Sequence, residues 1–226
     1  MAFLASGFWI FCVVALSALL ARIWSRFLPP ALYRTMLIPG VVLHELAHAL
    51  GCLITFAKIE KVNLFEKDGG SVKHSPPRIP LIGPVIISFA PLIFGIIAVL
   101  LLNQLLGQCR VFVWLQMFLD IAGTLFSRNP SVHKDIWSFL KITLYIYMLI
   151  NIAITLSPSR QDVKNCSIAF AVILAAVFAV NYFAGPFSLL ENSARHISNA
   201  CFSTLRSLVG ITVLSASFLG VKTALR

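Results

Sequence analysis

The sequence predicts an all-α polytopic membrane protein, a bundle of about six transmembrane helices with a small β-hairpin after the second. Three observations carry this. Of 226 residues, 59% are hydrophobic and 12% charged, where a soluble domain carries about 25% charged residues. Apolar runs of spanning length recur along the chain, each closed by Pro, Gly or basic residues. One stretch, 58–74, breaks this pattern and reads as a hairpin. The length suits a single domain over 1–226 and leaves no room for a second, soluble one.

The first apolar run, Phe3–Leu20, lacks a basic leader and an obvious cleavage site, so it is expected to stay as a helix. Arg22, Arg26 and Arg34 follow, with Pro29-Pro30 breaking the chain. The second run, Thr35–Ala57, has Pro39-Gly40 near its start, which is expected to kink or begin a helix. Next comes Lys58–His74, with Asp68-Gly69 as a turn signal between partly alternating segments. A third run, Leu81–Leu102, opens with Gly83-Pro84 and contains Pro91, which predicts an irregular helix. The segment 104–135 is mixed. Val111–Phe126 within it is apolar but short and interrupted, as in an interfacial or re-entrant helix, and Ser127–Asp135 reads as a polar turn. A fourth span is expected at Ile136–Leu156, a fifth at Cys166–Leu190 and a weaker sixth at Ser207–Leu219, with Glu191–Arg206 as a polar connection.

Net charge is +10, from 18 Lys+Arg against 8 Asp+Glu. The basic residues sit in the gaps between apolar runs, where they anchor to lipid headgroups. No basic run resembles a nucleic-acid patch, so the expected partner is the bilayer and not nucleic acid. Cys12, Cys52, Cys109, Cys166 and Cys201 form no C-x-x-C pair. They read as core residues, with neither a disulfide framework nor a cysteine metal site. Basic loops are balanced on the two sides, so orientation is not assigned, and oligomeric state is not legible.

The stretch that carries chemistry is His44-Glu45-Leu46-Ala47-His48, inside the second run. Residues four apart on a helix share a face, so both imidazoles can reach one metal ion. Glu45 stands beside them, placed to act on water. This is the H-E-x-x-H pattern of zinc metallopeptidases. The bland alternative is a polar cluster that only packs helices. Ionisable groups within a membrane helix cost about 2.5–3.5 kcal/mol each on insertion scales, which favours a functional reading.

A catalytic zinc takes three protein ligands as a rule. The third is sought among few residues. Glu60, Glu66, Asp68 and His74 read as solvated, and Glu191 and His196 lie in a late polar connection. Asp162 follows the fourth span after a Pro-containing break and is the leading choice; its other reading is the N-cap of the fifth span. Asp120, Asp135 and His133 remain as alternatives.

With these residues in view, the chain resembles the site-2 protease family of intramembrane zinc metallopeptidases. The resemblance rests on His44-Glu45-x-x-His48 in the second span, the hairpin-like stretch after it, Gly83-Pro84 opening the third span, and Asn151 through Asp162 at the fourth. It covers about residues 1–220. The family's later Asn-Pro…Asp-Gly signature is degenerate here: Ile154 stands where Pro is common, and Val163 follows Asp162. The resemblance implies a zinc-dependent intramembrane endopeptidase, with Zn2+ on His44, His48 and Asp162. Glu45 would be general base and acid, and Asn151 would bond substrate or intermediate, its alternative being an interhelical contact. The substrate would be a transmembrane peptide, unwound locally and held by β-addition near Val62–Phe65. The competing readings are a metallopeptidase trimming at the bilayer surface, and a non-proteolytic metal-binding scaffold or pseudo-protease.

Overall fold

The computed structural model describes residues 2–66, 69–80, 82–105, 132–159, 161–162 and 188–224, with 164, 171, 172, 175 and 179 as isolated positions. Six helices and one hairpin are described: α1 (Ala2–Phe27), α2 (Pro30–Met36), α3 (Ile38–Ile54), β1 (Ile59–Glu66), β2 (Gly69–His74), α4 (Gly83–Leu105), α5 (Val132–Thr155) and α6 (Ser188–Ala224). Three of these hold stretches long and apolar enough to cross a membrane: Ser6–Phe27, Gly83–Leu105 and Glu191–Ala216. The α2–α3 pair, bent by 58°, makes a fourth if taken as one span. Three or four of the six expected spans are therefore found among the described residues. The expected fifth span and the interfacial segment fall mostly on 106–131 and 163–187, outside the described residues.

Each bound has a local cause. Pro30 opens α2, and Pro39 sits in the first turn of α3, where a missing amide hydrogen costs nothing. Leu37 ends one helix and caps the next, so α3 begins beside Pro39-Gly40 as expected, and the basic stretch before the second apolar run is itself a short helix set at an angle to it. The end of α3 is a Schellman turn: Ala57 N–H donates to Cys52 O at 2.9 Å, and Phe56 N–H to Leu53 O at 3.2 Å. Phe56 takes the left-handed position at φ 55°. The chain thereby reverses straight into β1, which pairs antiparallel with β2 through Ile59–His74, Val62–Val72 and Asn63–Ser71.

At the centre lies α5. Its C-terminal half is buried nearly all round, at Leu149, Asn151, Ile152, Ala153 and Ile154, as a helix walled by neighbours must be. It touches α1, α3, α4 and α6. Polar groups also join the helices. Tyr145 Oη–H donates to Asn103 Oδ1 at 2.6 Å, Asn103 Nδ2–H to Ser207 Oγ at 3.2 Å, and Trp24 Nε1–H to Ser215 Oγ at 3.2 Å. Outward-facing Phe8, Phe11, Leu101 and Val213 are exposed.

Two expectations change. Glu191–Arg206 is not a connection; it is the first half of the long α6. Ala194, Cys201, Thr204, Leu208, Ile211 and Ser215 form a buried stripe, the first two seven residues apart and the rest at alternating three- and four-residue steps. That stripe packs on α1, whose buried Ser6, Val13, Ser17 and Leu20 repeat the spacing. The charged residues of this half, Glu191, Arg195 and Arg206, lie off the stripe, so the stretch reads as polar along the chain although one face is buried. Residues 132–135 are likewise helical, so His133 and Asp135 lie in the first turn of α5 and not in a loop.

Candidate metal centre

His44 and His48 lie one turn apart on α3, and each is oriented by a neighbouring helix. His44 Nδ1 contacts Thr155 O at 2.7 Å, and His48 Nδ1 contacts Ile87 O at 2.9 Å. A carbonyl only accepts, so the proton is on Nδ1 in both rings. Their Nε2 atoms are then left as lone-pair donors, 3.3 Å apart. Asp162 Oδ1 stands 3.6 Å from His48 Nε2. Ligand atoms from all three residues lie within 4.8 Å of one another.

The donor set could hold a metal ion, and two of its three spacings can be compared with a tetrahedral site. With bonds of about 2.0–2.2 Å in a tetrahedron, donor atoms stand about 3.3–3.6 Å apart, which brackets both spacings found here. Two imidazole lone pairs and a carboxylate turned to one point suit a cation. Carbonyls behind both rings are the supporting hydrogen bonds that metal-ligating histidines carry as a rule.

These carbonyls are available for local reasons. Thr155 is the last residue of α5. Pro158 has no amide hydrogen, and Ser159 N–H is turned to Asp162 Oδ2 at 2.8 Å. In return Asp162 N–H donates to Ser159 Oγ at 3.1 Å. Ser159-x-x-Asp162 is thus a reciprocal capping pair, with Ser159 as the cap and Asp162 as its partner. The carboxylate serves two ends at once, one oxygen on the turn and the other toward the histidines.

Glycines set the helix spacing on either side of the motif. A Cβ at Gly40 would meet Asn151 O at 2.6 Å and the Thr155 side chain at 2.9 Å. At Gly51 it would meet Ile87 Cα at 3.0 Å and Ala90 Cβ at 3.2 Å. Gly40 therefore lets α3 close on α5, where His44 finds Thr155, and Gly51 lets it close on α4, where His48 finds Ile87.

Glu45 is 6% exposed and lines the same cavity, of about 440 Å³, as the two histidines and Asp162. The roof is β2: Gly70, Ser71, Val72 and His74 face the cavity. Gly70 lies so close that a Cβ there would run into the Glu45 side chain. The strand at the site is therefore β2; Val62–Phe65, where β-addition was expected, is on β1. His74, expected to be solvated, is partly buried in this wall.

Asn151 sits elsewhere. It is 2% exposed, accepts from Gly40 N–H at 3.4 Å and donates to Tyr147 O at 2.9 Å. Among the described residues of the cavity wall it does not figure. Sequence reasoning missed Ile87, Thr155, Ser159, Gly40, Gly51 and Gly70. Only Ser159 had a readable signal, the S-x-x-D spacing; the others act through backbone atoms or through lacking a side chain.

A family model described as Peptidase M50B-like matches residues 9–203, from α1 into α6, and so takes in the motif, the hairpin and Asp162. Neither a curated protein nor a solved structure gives a match.

Proposed function

The chain belongs to the Peptidase M50B-like family, a site-2 protease family, and from that premise we propose that it is a zinc-dependent intramembrane endopeptidase cleaving membrane-spanning peptides. The observation that carries the reading is the convergence of two lone-pair Nε2 atoms and one carboxylate oxygen beside a buried glutamate. In this reading His44, His48 and Asp162 hold the ion. Bound zinc supplies Lewis acidity, acidifying a water and polarising a peptide carbonyl.

This chain's residues do the rest. Glu45 takes the proton of the attacking water and returns it to the leaving amine. Its burial under β2 keeps bulk water from competing for that proton. A substrate helix hides its carbonyls in its own hydrogen bonds, so cleavage requires an unwound stretch. The edge of β2 offers such a stretch backbone partners beside the histidines. Asn151 acts in this reading by holding the start of α3 against α5, through Gly40, and not by touching substrate. Arg22, Arg26 and Arg34 anchor the multi-pass chain at the headgroups.

Detergent-purified protein is the test. The parent is expected to hold about one zinc per chain, lost in His44→Ala and in Asp162→Ala. Glu45→Gln should keep the zinc yet cut a transmembrane peptide some 10²–10⁴-fold more slowly. A folded parent that takes up no zinc when supplied, or a Glu45→Gln protein with parental cleavage, would refute the proposal. The first result would favour a scaffold instead.

A further inference from the structure

Pro91 lies inside α4, buried and about two turns from the nearer helix end. Proline in a helix interior removes the amide hydrogen that would bond the carbonyl four residues back. That carbonyl belongs to Ile87, and it is the one His48 Nδ1–H reaches at 2.9 Å. Gly51 brings the two helices together at this same residue, with Ile87 Cα 3.0 Å from where its Cβ would stand. The helix break, the close approach and the imidazole thus meet at one oxygen.

The geometry points to Pro91 as a positioning residue for His48: it withholds the helical hydrogen bond from Ile87 O so that this oxygen can fix the imidazole with Nδ1 protonated and Nε2 turned to Asp162. The inference rests on the metal reading of the site and adds a residue that touches neither metal nor substrate. Without Pro91, the residue 91 amide would compete for Ile87 O. His48 would then lose its preference for one tautomer and one ring orientation, and a metal ligand held in the wrong tautomer offers a proton where a lone pair is needed.

Pro91→Ala restores the amide. Two readouts, neither of them proteolysis, follow. In zinc-free protein with 15N-labelled histidine, the parent's His48 should carry its proton on Nδ1, and the variant's should shift toward Nε2. By chelator competition, the zinc dissociation constant should rise tenfold or more, within the 10–100-fold usual for such supporting groups. Thermal unfolding of the zinc-free variant supplies the sign that separates positioning from packing. A repaired helix should leave the midpoint unchanged or raise it, whereas a merely structural proline should lower it. Parental values for either the tautomer or the zinc constant would overturn the inference. So would a lowered midpoint, or a variant that fails to fold. A parent that binds no zinc would instead defeat the proposed function, and the tautomer of the zinc-free pair would still decide the role of Pro91.

Discussion

Replacing Gly40 by Ala is the sharpest probe of how α3 is held. The new Cβ would stand 2.6 Å from Asn151 O and 2.9 Å from Thr155 Cγ2 and Oγ1. Ordinary contact begins near 3.4 Å, so α3 and α5 must separate by about 0.8 Å at this level. The obstacle is backbone, which cannot rotate away. His44 Nδ1···Thr155 O, now 2.7 Å, would stretch to about 3.5 Å, the limit of a hydrogen bond. Overpacking of this kind costs about 1–3 kcal/mol, and loss of a ligand's supporting bond costs about 10–100-fold in metal affinity. Gly7→Ala is the control, since a Cβ there meets nothing within 4 Å, and Ala is the better helix former by about 0.5–1 kcal/mol. Zinc affinity by chelator competition and thermal unfolding in detergent would be read on both. The expected pattern is a lower midpoint and weaker zinc binding for Gly40→Ala, with Gly7→Ala unchanged or slightly more stable. Equal behaviour of the two variants would refute the close-approach argument.

Two further outcomes follow from the contacts. Gly70→Ala should push β2 off Glu45 or turn that side chain aside; zinc content should stay parental while cleavage falls about tenfold or more, and parental cleavage would exclude a role for this contact. Tyr145→Phe removes the bond to Asn103 that links α5 to α4 and, through Ser207, to α6. It should destabilise the protein by about 0.6 kcal/mol, the average for interhelical bonds in a membrane protein, and by no more than about 1.7, without altering zinc content.

The metal motif was legible because two histidines four apart on a helix share a face whatever the helix packs against. The hairpin was legible because Asp68-Gly69 punctuates an alternating polar stretch, and β1 and β2 form around it. Helix α6 was misread because its charged residues were weighed along the chain and not by the face they occupy. Its stripe from Ala194 to Ser215 faces α1, and Glu191, Arg195 and Arg206 lie off that stripe. Asn151 shows the reverse limit. Its polarity in an apolar run marked it as important, but not whether it would meet substrate or another helix.

By itself the sequence determined that this chain belongs in a membrane, where its ionisable turn lies, and which few acids could join it. Those conclusions need only composition, local spacing and the cost of burying charge. The fold alone decided that Asp162 turns one oxygen to the Ser159 cap and the other to His48. It decided too that Ile87 and Thr155 lend their carbonyls to the two imidazoles, and that β2 closes over Glu45. Each of these joins atoms from segments tens of residues apart, through backbone groups that every residue possesses. A backbone carbonyl leaves no mark in a sequence; only the packing of α3 against α4 and α5 shows which ones are left free and where they point.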